Sequence, residues 1–330
     1  MTSMLSRATR SSLAHLMILL LTSALFAGLA RADTYPSKTV TLVLPFGAGS
    51  ATDTSTRIIA QQLSAALGQP VVIENKPGAN GMIAASYVAR SAPDGYTLFV
   101  TTNTSHSAAP SLMKTINYDP IKDFTPLART GNIPFMLVVH PDVPAKSVAE
   151  LTAYAKANPG KLTYASGSSG AIVMGATYAR RAGIDVLHVP YKSSPPALTD
   201  LMAGRVSMMF IDVLAGLPHV QAGKLRALAM STKERSALLP DMPSMQEAGV
   251  QDFDINSWQG WFGPANMPKD VVTRLNTEIR KIIDNPEIKK QLAERGMDAF
   301  SGTPEEFGKF VEEQLVVWTR LIKDAGIEPE

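Results

Sequence analysis

The chain has 330 residues, with 31 Lys and Arg against 29 Asp and Glu, and it contains no cysteine. The absence of cysteine excludes a disulfide framework, a thiol nucleophile and a lipid-modified cysteine anchor. The near balance of charge lacks the basic signature of a nucleic-acid-binding protein, so we expect no nucleic-acid partner.

The first 32 residues have the features of a secretory signal peptide. Arg7 and Arg10 precede an apolar run from Leu13 to Leu29, and Ala30-Arg31-Ala32 forms a small-x-small cleavage site. The alternative is a membrane anchor, but the run is at the short end of what spans a bilayer. Cleavage would remove three arginines and leave 28 basic against 29 acidic residues. The sequence thus predicts a soluble periplasmic protein that begins at Asp33.

The chain after the signal alternates β-type runs with amphipathic helical runs. The first set consists of strands 39–44, 71–74 and 96–101, with helices at about 53–67 and 80–91. This alternation predicts parallel strand pairing with right-handed crossovers. A second set begins with strand 136–139 and a helix capped by Ser147 and Glu150. It continues with strands 161–165, 186–189 and 206–211 and with helices after Gly170 and Pro195.

The C-terminal part predicts two or three closing helices, the last of which starts at a capping box, Thr303-Pro304-Glu305-Glu306. From the sequence these helices could complete either set. We predict an α/β protein of two lobes, and a chain that crosses twice between them would form a two-strand hinge near Gly131 and Ser257. Trp258 and Trp261 either wall the cleft or, as we prefer, pack in the hinge or core.

The segment from Pro45 to Asp53 lies between a strand and a helix and contains Gly47 and Gly49. Such a turn exposes unpaired backbone N–H groups at the positive end of a helix dipole, which favours an anion. The motif is also an incomplete dinucleotide fingerprint, with Thr52 in place of the third glycine and Glu74 at the end of the second strand. Export argues against that reading.

Three further loops follow strands and are rich in hydroxyl groups, namely 101–107, 166–170 and 191–195. In open α/β sheets ligands bind at the carboxyl ends of strands. The loops are nearly free of charge, which suits a carboxylate held by N–H and O–H donors, and no cofactor is required. For any single loop the ordinary alternative is turn and cap chemistry. Asp53 in particular is expected to be an N-cap.

Signatures of catalysis are missing from the sequence. It has no G-x-S-x-G elbow, no H-E-x-x-H and no G-x-x-x-x-G-K-[ST] loop. His106, His140, His188 and His219 lack metal-ligand spacing and are expected to be structural or superficial. We therefore predict a protein that is not an enzyme and has no metal site, with an exported hydrolase as the remote alternative.

Several segments resemble the Bug family, the periplasmic receptors of tripartite tricarboxylate transporters. The segments that carry the resemblance are 35–36, 44–49, 71–79, 92–98, 189–192, 196–201 and 223–229. The resemblance implies an α/β fold like that of type II periplasmic binding proteins, with two lobes joined by a two-strand hinge. It places a discontinuous first domain at 33–131 with 257–330 and a second domain at 132–256. It also implies a small carboxylate as ligand, often held through ordered waters.

The resemblance and the loops together define the candidate ligand-binding residues. Those carried by the family pattern are Phe46, Gly49, Asp53, Thr102, Asn103, Ser166, Gly170, Tyr191 and Asp212. Those added from the loops are Ser50, Ala51, Thr52, Ser168 and Ser169.

Two departures from the family pattern bear on the ligand. Ser50 replaces the second glycine of the usual Gly-Gly pair, and the helix after Gly170 carries Ile172 and Ala176 near the places of the common His and Glu. Loss of polar groups there favours an apolar-bodied mono- or dicarboxylate such as terephthalate over citrate-like or C4 acids.

The expected partners are the large and small membrane subunits of the transporter, and we expect a monomer. A receptor that presents the same ligand to a signalling kinase is the alternative role.

Overall fold

The structure, a computed structural model, describes residues 35–237 and 239–330. The predicted signal peptide at 1–32 lies outside these residues. Within the described part, no helix has both the length and the apolar character needed to cross a membrane.

Two β-sheets organise the chain from Lys38 onward. The six-stranded sheet has the order β11-β4-β10-β3-β1-β2, and the five-stranded sheet has the order β7-β6-β8-β5-β9. We call the elements built on the six-stranded sheet lobe 1 and those built on the five-stranded sheet lobe 2. The predicted α/β class with two lobes is confirmed, while the domain boundaries at 131/132 and 256/257 stay a prediction.

Lobe 1 takes its strands from both parts of the chain. Its strands are β1 (Val40–Leu44), β2 (Val71–Asn75), β3 (Thr97–Thr102), β4 (Phe124–Ile133), β10 (Ser257–Pro264) and β11 (Asp298–Ala299). Its helices are α1 (Ala51–Leu67), α2 (Met82–Ala89), α3 (Ala109–Leu112), α8 (Lys269–Asp284), α9 (Pro286–Ala293) and α10 (Pro304–Asp324). A 3₁₀ turn at Ala79–Gly81 and a π-helical turn at Thr104–Ala108 precede α2 and α3.

Lobe 2 is one continuous stretch. Its strands are β5 (Phe135–Val139), β6 (Leu162–Ser166), β7 (Val186–Pro190), β8 (Met208–Asp212) and β9 (Arg226–Met230). Its helices are α4 (Val148–Ala157), α5 (Ser169–Ala182), α6 (Ser194–Met202) and α7 (Val213–Gln221). The three closing helices α8, α9 and α10 pack on lobe 1, which the sequence had left open.

Strand direction follows the predicted pattern only in part. β1 pairs in parallel with β2 and β3, and β6 pairs in parallel with β7 and β8. β10 is antiparallel to β3 and β4, and β5 is antiparallel to β8 and β9. β5 and β10 are the first strands that the chain forms after it passes from one sheet to the other. Each of them runs opposite to both of its neighbours.

The hinge consists of the two segments that connect the sheets. The chain leaves lobe 1 between Ile133 and Phe135, and it returns at Ser257, which pairs with Ile133. The backbone N–H of Val213 donates to the Pro134 carbonyl (3.0 Å), and that of Ser231 donates to the Phe135 carbonyl (2.9 Å). The carboxyl ends of β1, β3, β6 and β8 therefore lie near the hinge.

Each lobe has its own apolar core. In lobe 1, Phe99, Phe262 and Phe307 pack with Trp258, which is 1% exposed. In lobe 2, residues such as Met209 and Ile211 of β8 pack with Leu198 and Leu201 of α6. Trp261 is fully buried, and neither tryptophan lines a described cleft cavity, so both pack in the core as preferred.

Helix ends show which local predictions hold. At α10, Thr303 and Glu306 form the predicted capping box, with Pro304 in the first turn. At α4, Ser147 accepts from the Glu150 N–H, but the Glu150 carboxylate accepts from Lys146 N (2.7 Å) and not from Ser147, so the box is only half formed. The helix expected at 53–67 begins at Ala51 and is capped by Ser50. Asp53 is therefore not the N-cap, contrary to the prediction.

Candidate functional site

The loop after β1 presents the start of α1 toward lobe 2. Ser50 lies outside the helix with extended backbone, and its Oγ accepts the N–H of Asp53 at 3.3 Å. Ala51 and Thr52 occupy the first turn, and both are buried. First-turn N–H groups have no acceptor within the helix, and the helix dipole gives this end a partial positive charge. The geometry makes this loop a cradle for an anion.

The Asp53 carboxylate accepts several hydrogen bonds that hold the shape of this loop. Its carboxylate accepts from Arg57 Nε (2.9 Å) and Nη2 (3.0 Å), from Asn75 Nδ2 (3.0 Å) and from Gly49 N (3.0 Å). Burial raises the pKa of this carboxyl, but the hydrogen bonds from Arg57, Gly49 and Asn75 outweigh it, so the net pKa lies below its usual value. The residue is a structural brace for the cradle.

The end of β3 supplies a second polar group of lobe 1. Thr102 closes the strand, and Asn103 follows it with 1% of its surface exposed. Ser257 Oγ donates to Asn103 Oδ1, while Asn103 Nδ2 is buried without a described partner. The unpartnered N–H₂ group lies close to lobe 2, because a Cβ atom placed on Gly170 would be 3.8 Å from it.

Lobe 2 presents the start of α5 to the same region. Ser168 caps this helix by accepting the N–H of Ala171 at 3.3 Å. The next residue, Ser169, is fully buried, and its Oγ has no partner among the described residues. Nearly all buried polar atoms in proteins are hydrogen-bonded. A buried hydroxyl beside a helix N-terminus is thus a donor available to an anion or to a water that binds one.

The loop before α6 brings the two lobes into contact. A Cβ atom placed on Gly47 of lobe 1 would lie 2.8 Å from Ser193 Oγ of lobe 2. Ser193 Oγ is also buried without a described partner. Tyr191, by contrast, is engaged: its hydroxyl donates to Asp200 Oδ2 at 2.7 Å. A side chain at position 47 would therefore require the Ser193 hydroxyl group to move.

Asp212 ends β8 and caps α7. Its Oδ1 accepts the N–H of Ala215 at 2.7 Å, and the residue is 4% exposed. Burial raises the pKa of the Asp212 carboxyl to about 6, because the hydrogen bonds from backbone N–H groups offset only part of the cost of desolvating the charge. None of the ion pairs found in the described part of the chain involves it.

These elements enclose a small cavity at the hinge, which we call the inner cavity. Its volume is about 20 Å³, close to that of one water molecule. The lining comprises eleven described residues: Phe46, Ser50, Ala51, Thr52, Thr102, Ile133, Phe135, Ser168, Ser194, Asp212 and Ser257. Seven of them belong to the predicted set. No Lys, Arg or His is among them, so an anion here depends on N–H and O–H donors.

A larger cavity of about 330 Å³, which we call the outer chamber, adjoins the inner cavity. Phe46 and Ser168 line both. The outer chamber also contains Ser166 and Tyr191 from the predicted set, together with charged or titratable groups that the inner cavity lacks: Tyr164, His188, Lys192, Glu328 and Glu330. Phe46 therefore lies at the boundary between the inner cavity, whose hydrogen-bond donors are uncharged, and the wider outer chamber, which contains charged groups.

The structure thus brings most of the predicted residues to the boundary between the lobes. Gly49, Asp53, Asn103, Ser169 and Gly170 line neither cavity, although Asn103 and Ser169 each have a buried polar atom without a partner. Asp53 and Tyr191 have their polar groups committed to other side chains. Whether each residue contacts a ligand stays a prediction.

Four residues of the inner cavity are missing from the predicted set: Ile133, Phe135, Ser194 and Ser257. Three of them flank the hinge, where the sequence shows only a change from one α/β set to the next. Ser194 belongs to a loop that the sequence did single out, and its position in the first turn of a helix is the signal that was available.

Two histidines of the described part of the chain, His106 and His188, have different surroundings. His106 is fully buried and stacks on Phe262 at 4.0 Å between ring centroids, and burial lowers its pKa to about 3. His188 is half-buried at the outer chamber, where its Nε2 lies 2.6 Å from Ser166 Oγ. Among the described residues, no group of three or more His, Cys, Asp or Glu side chains is placed to hold a metal ion.

Two α/β lobes with a hinge and polar strand-end loops define the class of two-lobed solute-binding proteins. Residues 55–327 match the family described as the tripartite tricarboxylate transporter family receptor. The chain therefore belongs to this receptor family, and the predicted resemblance to the Bug family is confirmed.

Solved structures of similar chains show the same fold. An R. palustris protein, Rpa4515 with adipate, is 36% identical, with a TM-score of 0.88 over 90% of this chain and 100% of that one. The periplasmic binding protein BugD is 32% identical, with a TM-score of 0.86 over 90% of this chain and 100% of its own. MatC from Rhodopseudomonas palustris with bound malate is 32% identical, with a TM-score of 0.82 over 87% and 100%.

These proteins are ligand-binding receptors and not enzymes, as predicted for this chain. Two of them hold small carboxylates. The family assignment therefore supports a carboxylate as the ligand class.

Proposed function

We propose that this protein is a periplasmic receptor that captures a small carboxylate between its two lobes and delivers it to the large and small membrane subunits of a tripartite transporter. The predicted lobe boundaries, its monomeric state and its processing to begin at Asp33 are parts of this proposal.

The observation that carries the proposal is the set of buried, unpartnered polar atoms at the boundary between the lobes. Thirteen buried side-chain polar atoms lack a partner among the described residues, and four of them belong to residues at this boundary: Asn103 Nδ2, Thr104 Oγ1, Ser169 Oγ and Ser193 Oγ. Two come from each lobe, so a ligand or bridging waters between the lobes would satisfy all four. Because leaving such groups unpaired is costly, they indicate a polar ligand.

The donor chemistry favours a carboxylate. Ser50 and Ser168 cap helices whose first turns face the cleft, and both residues line the inner cavity. A hydrogen bond to a charged group contributes about 1.5 to 3 kcal/mol, and each helix start adds about 0.3 to 1 kcal/mol. Four or five such bonds, less the cost of association, leave roughly the 8 kcal/mol of micromolar affinity.

The walls favour a ligand with an apolar body. Phe46, Ala51, Ile133 and Phe135 line the inner cavity between the hydroxyl groups, and Ile172 lines the outer chamber. We therefore propose terephthalate-like aromatic acids or other apolar-bodied carboxylates first, with C4 and citrate-like acids next. The adipate in the 36% identical neighbour fits an apolar-bodied acid, and the malate in MatC fits the second group.

Binding requires that the lobes move apart and close again. The inner cavity has room for about one water molecule in this arrangement. A ligand stabilises the closed arrangement because only there do donors from both lobes reach it.

Thermal-shift measurements on the purified protein with terephthalate, adipate, malate, citrate and the diamine cadaverine, which has no carboxylate, test the ligand class. A ligand at 100 times its Kd adds about 2.7 kcal/mol to the free energy of unfolding. Stabilisation by cadaverine alone, or by none of the acids, would contradict a carboxylate receptor. Stabilisation by citrate or malate without terephthalate or adipate would contradict the preference for an apolar body.

Uptake of the radiolabelled acid by intact cells tests delivery. We expect a strain lacking this gene to lose high-affinity uptake and to regain it with the gene on a plasmid. Normal uptake with a lost transcriptional response to the acid would support the sensor role in its place.

A further inference from the structure

Asp212 presents an electrostatic problem at the inner cavity. This cavity is the proposed site of a ligand carboxylate, yet Asp212 contributes a second carboxyl group to its wall. The other ten described lining residues carry no ionisable group in the ordinary pH range. Two carboxylates in one buried site with no cation repel each other, and proteins resolve this by sharing one proton between them.

Among the residues that the structure describes, no neighbouring cation compensates Asp212. The nearby charged and titratable groups on the elements around it have other partners or lie at far ends. On α1, Arg57 is paired with Asp53, and on α6, Asp200 is paired with Arg205 and Tyr191. On β6, Tyr164 stacks on His188 of β7.

The other charged or titratable groups on the surrounding elements lie at the far ends of those elements or are exposed. Arg180 and Arg181 are in the last turn of α5, His219 is in the last turn of α7, and His140 follows the far end of β5. The 295–296 loop of lobe 1 reaches Val213 and Leu214 through Gly296, but its Arg295 is exposed and donates to the Gln291 carbonyl.

We propose that capture of a carboxylate in the inner cavity is coupled to uptake of one proton by Asp212, which then donates a hydrogen bond to the ligand as a neutral carboxyl group. The proton comes from solvent, and it returns to solvent when the ligand leaves. This inference rests on the proposed function, since it assumes that the inner cavity binds a carboxylate.

The local geometry supports a neutral carboxyl group here. Oδ1 accepts the helix-capping N–H of Ala215, a role that a protonated carboxyl or an amide oxygen also fills. Burial already raises the pKa of Asp212 to about 6 before any ligand charge is added. A ligand anion in the same cavity raises it further, so the group takes up a proton on binding at neutral pH.

Calorimetry measures this proton directly. The probe is whichever of terephthalate, adipate and malate gives the largest thermal shift, titrated at pH 7.5 in HEPES and in Tris, which differ in ionisation enthalpy. We expect uptake of close to one proton per ligand. We also expect affinity to fall about tenfold from pH 6.5 to 7.5, because one proton is linked to binding above the pKa of the free carboxyl.

Asp212→Asn supplies the critical variant. Its amide keeps both the capping oxygen and a donor to the ligand, so we expect no proton uptake, equal affinity at pH 6.5 and 7.5, and affinity at pH 7.5 at least equal to that of the original protein. Asp270→Asn is the matched control, because Asp270 is an exposed carboxylate in the first turn of α8 away from the cleft. It should leave proton uptake unchanged.

Three results would overturn the inference while leaving the receptor function intact. The first is ligand binding by the original protein without proton uptake. The second is unchanged proton uptake in a folded Asp212→Asn protein. The third is loss of all binding in that variant together with tighter binding of aspartate than of succinate, which would assign Asp212 to a ligand ammonium group. Failure of every carboxylate to bind would instead reject the proposed function. If Asp212→Asn does not fold, the proton count in the original protein decides alone.

Discussion

The two helix starts that face each other across the cleft differ in how their polar groups are partnered. In lobe 1, the Asp53 carboxylate ties the loop before α1 to Arg57, Asn75 and Gly49. In lobe 2, Ser169 and Ser193 carry buried hydroxyl groups that have no described partner. The comparison indicates a difference between the helix starts: the start of α1 is a braced cradle of N–H groups, whereas the starts of α5 and α6 carry hydroxyl groups without a described partner.

Removing the brace of lobe 1 should have the largest effect. Asp53→Ala leaves Arg57 and Asn75 without their shared acceptor and frees the Gly49 N–H, so we expect a loss of about 3 kcal/mol in unfolding free energy and about a hundredfold loss in ligand affinity. Urea denaturation and calorimetry measure the two. Arg57→Ala, at the exposed end of the pair, should cost much less.

The pH dependence of this brace has a definite sign. The pKa of Asp53 is lowered in the folded protein. Its contribution to stability is therefore complete above the ordinary pKa of the carboxyl and is lost as the pH falls through the lowered one. An Asp53→Ala protein with unchanged acid sensitivity and unchanged affinity would reject the brace.

Blocking the contact between the lobes should have the next largest effect. Gly47→Val places branched carbon atoms where Ser193 Oγ lies 2.8 Å from the Cβ position, so the lobes cannot close fully. We expect about a thirtyfold loss of affinity, roughly 2 kcal/mol, with little change in stability. Small-angle scattering with saturating ligand should show a larger radius of gyration than that of the original protein.

Gly308→Ala is the matched control for Gly47. Gly308 lies in α10, and its added Cβ would make ordinary contact with Pro126 at 3.4 Å, away from the cleft. Full closure of the Gly47→Val protein would contradict the role of this contact.

Removing an unpartnered hydroxyl group of lobe 2 should have a smaller effect on ligand affinity. It should lower affinity without lowering the stability of the fold. Ser169→Ala removes a fully buried Oγ without a partner, so we expect unchanged or slightly higher stability and about a tenfold loss of carboxylate affinity, the value of one hydrogen bond to a charged group. Thermal unfolding and calorimetry measure both. A parallel loss of stability would show that the hydroxyl serves the fold.

A substitution in the outer chamber should have the smallest effect on ligand affinity. His188→Gln preserves a polar partner for Ser166, so we expect affinity to change less than about threefold. Burial lowers the pKa of His188, with Glu330 opposing this shift. The original protein should lose stability as the pH falls below the ordinary pKa of histidine, and the variant should lose less, as thermal unfolding between pH 7.5 and 5.5 would show. A tenfold loss of affinity would place His188 in the ligand site.

Much of the secondary structure could be predicted from the sequence alone. Apolar runs separated by amphipathic segments indicated β1 to β3 and β5 to β8, because burial on a sheet or helix imposes its own period on the sequence. The Thr303 capping box was predicted correctly for the same reason, since a cap depends on neighbours three residues apart. β4 was missed because Pro126 and Gly131 interrupt its pattern, and such residues occur at irregular edges of strands.

The position of the loops could also be predicted from the sequence, but the roles of their residues could not. The carboxyl ends of parallel strands meet at one edge of a sheet, so the sequence alone determined that the loops after β1, β3, β6 and β7 would gather near a cleft. Only the tertiary structure decided that Asp53 pairs inward with Arg57, that Ser169 stays unpartnered, and that Asp212 enters a cavity without a cation. These outcomes depend on contacts between residues far apart in the chain, and a local pattern carries no information about which distant group fills a side chain's hydrogen-bonding capacity.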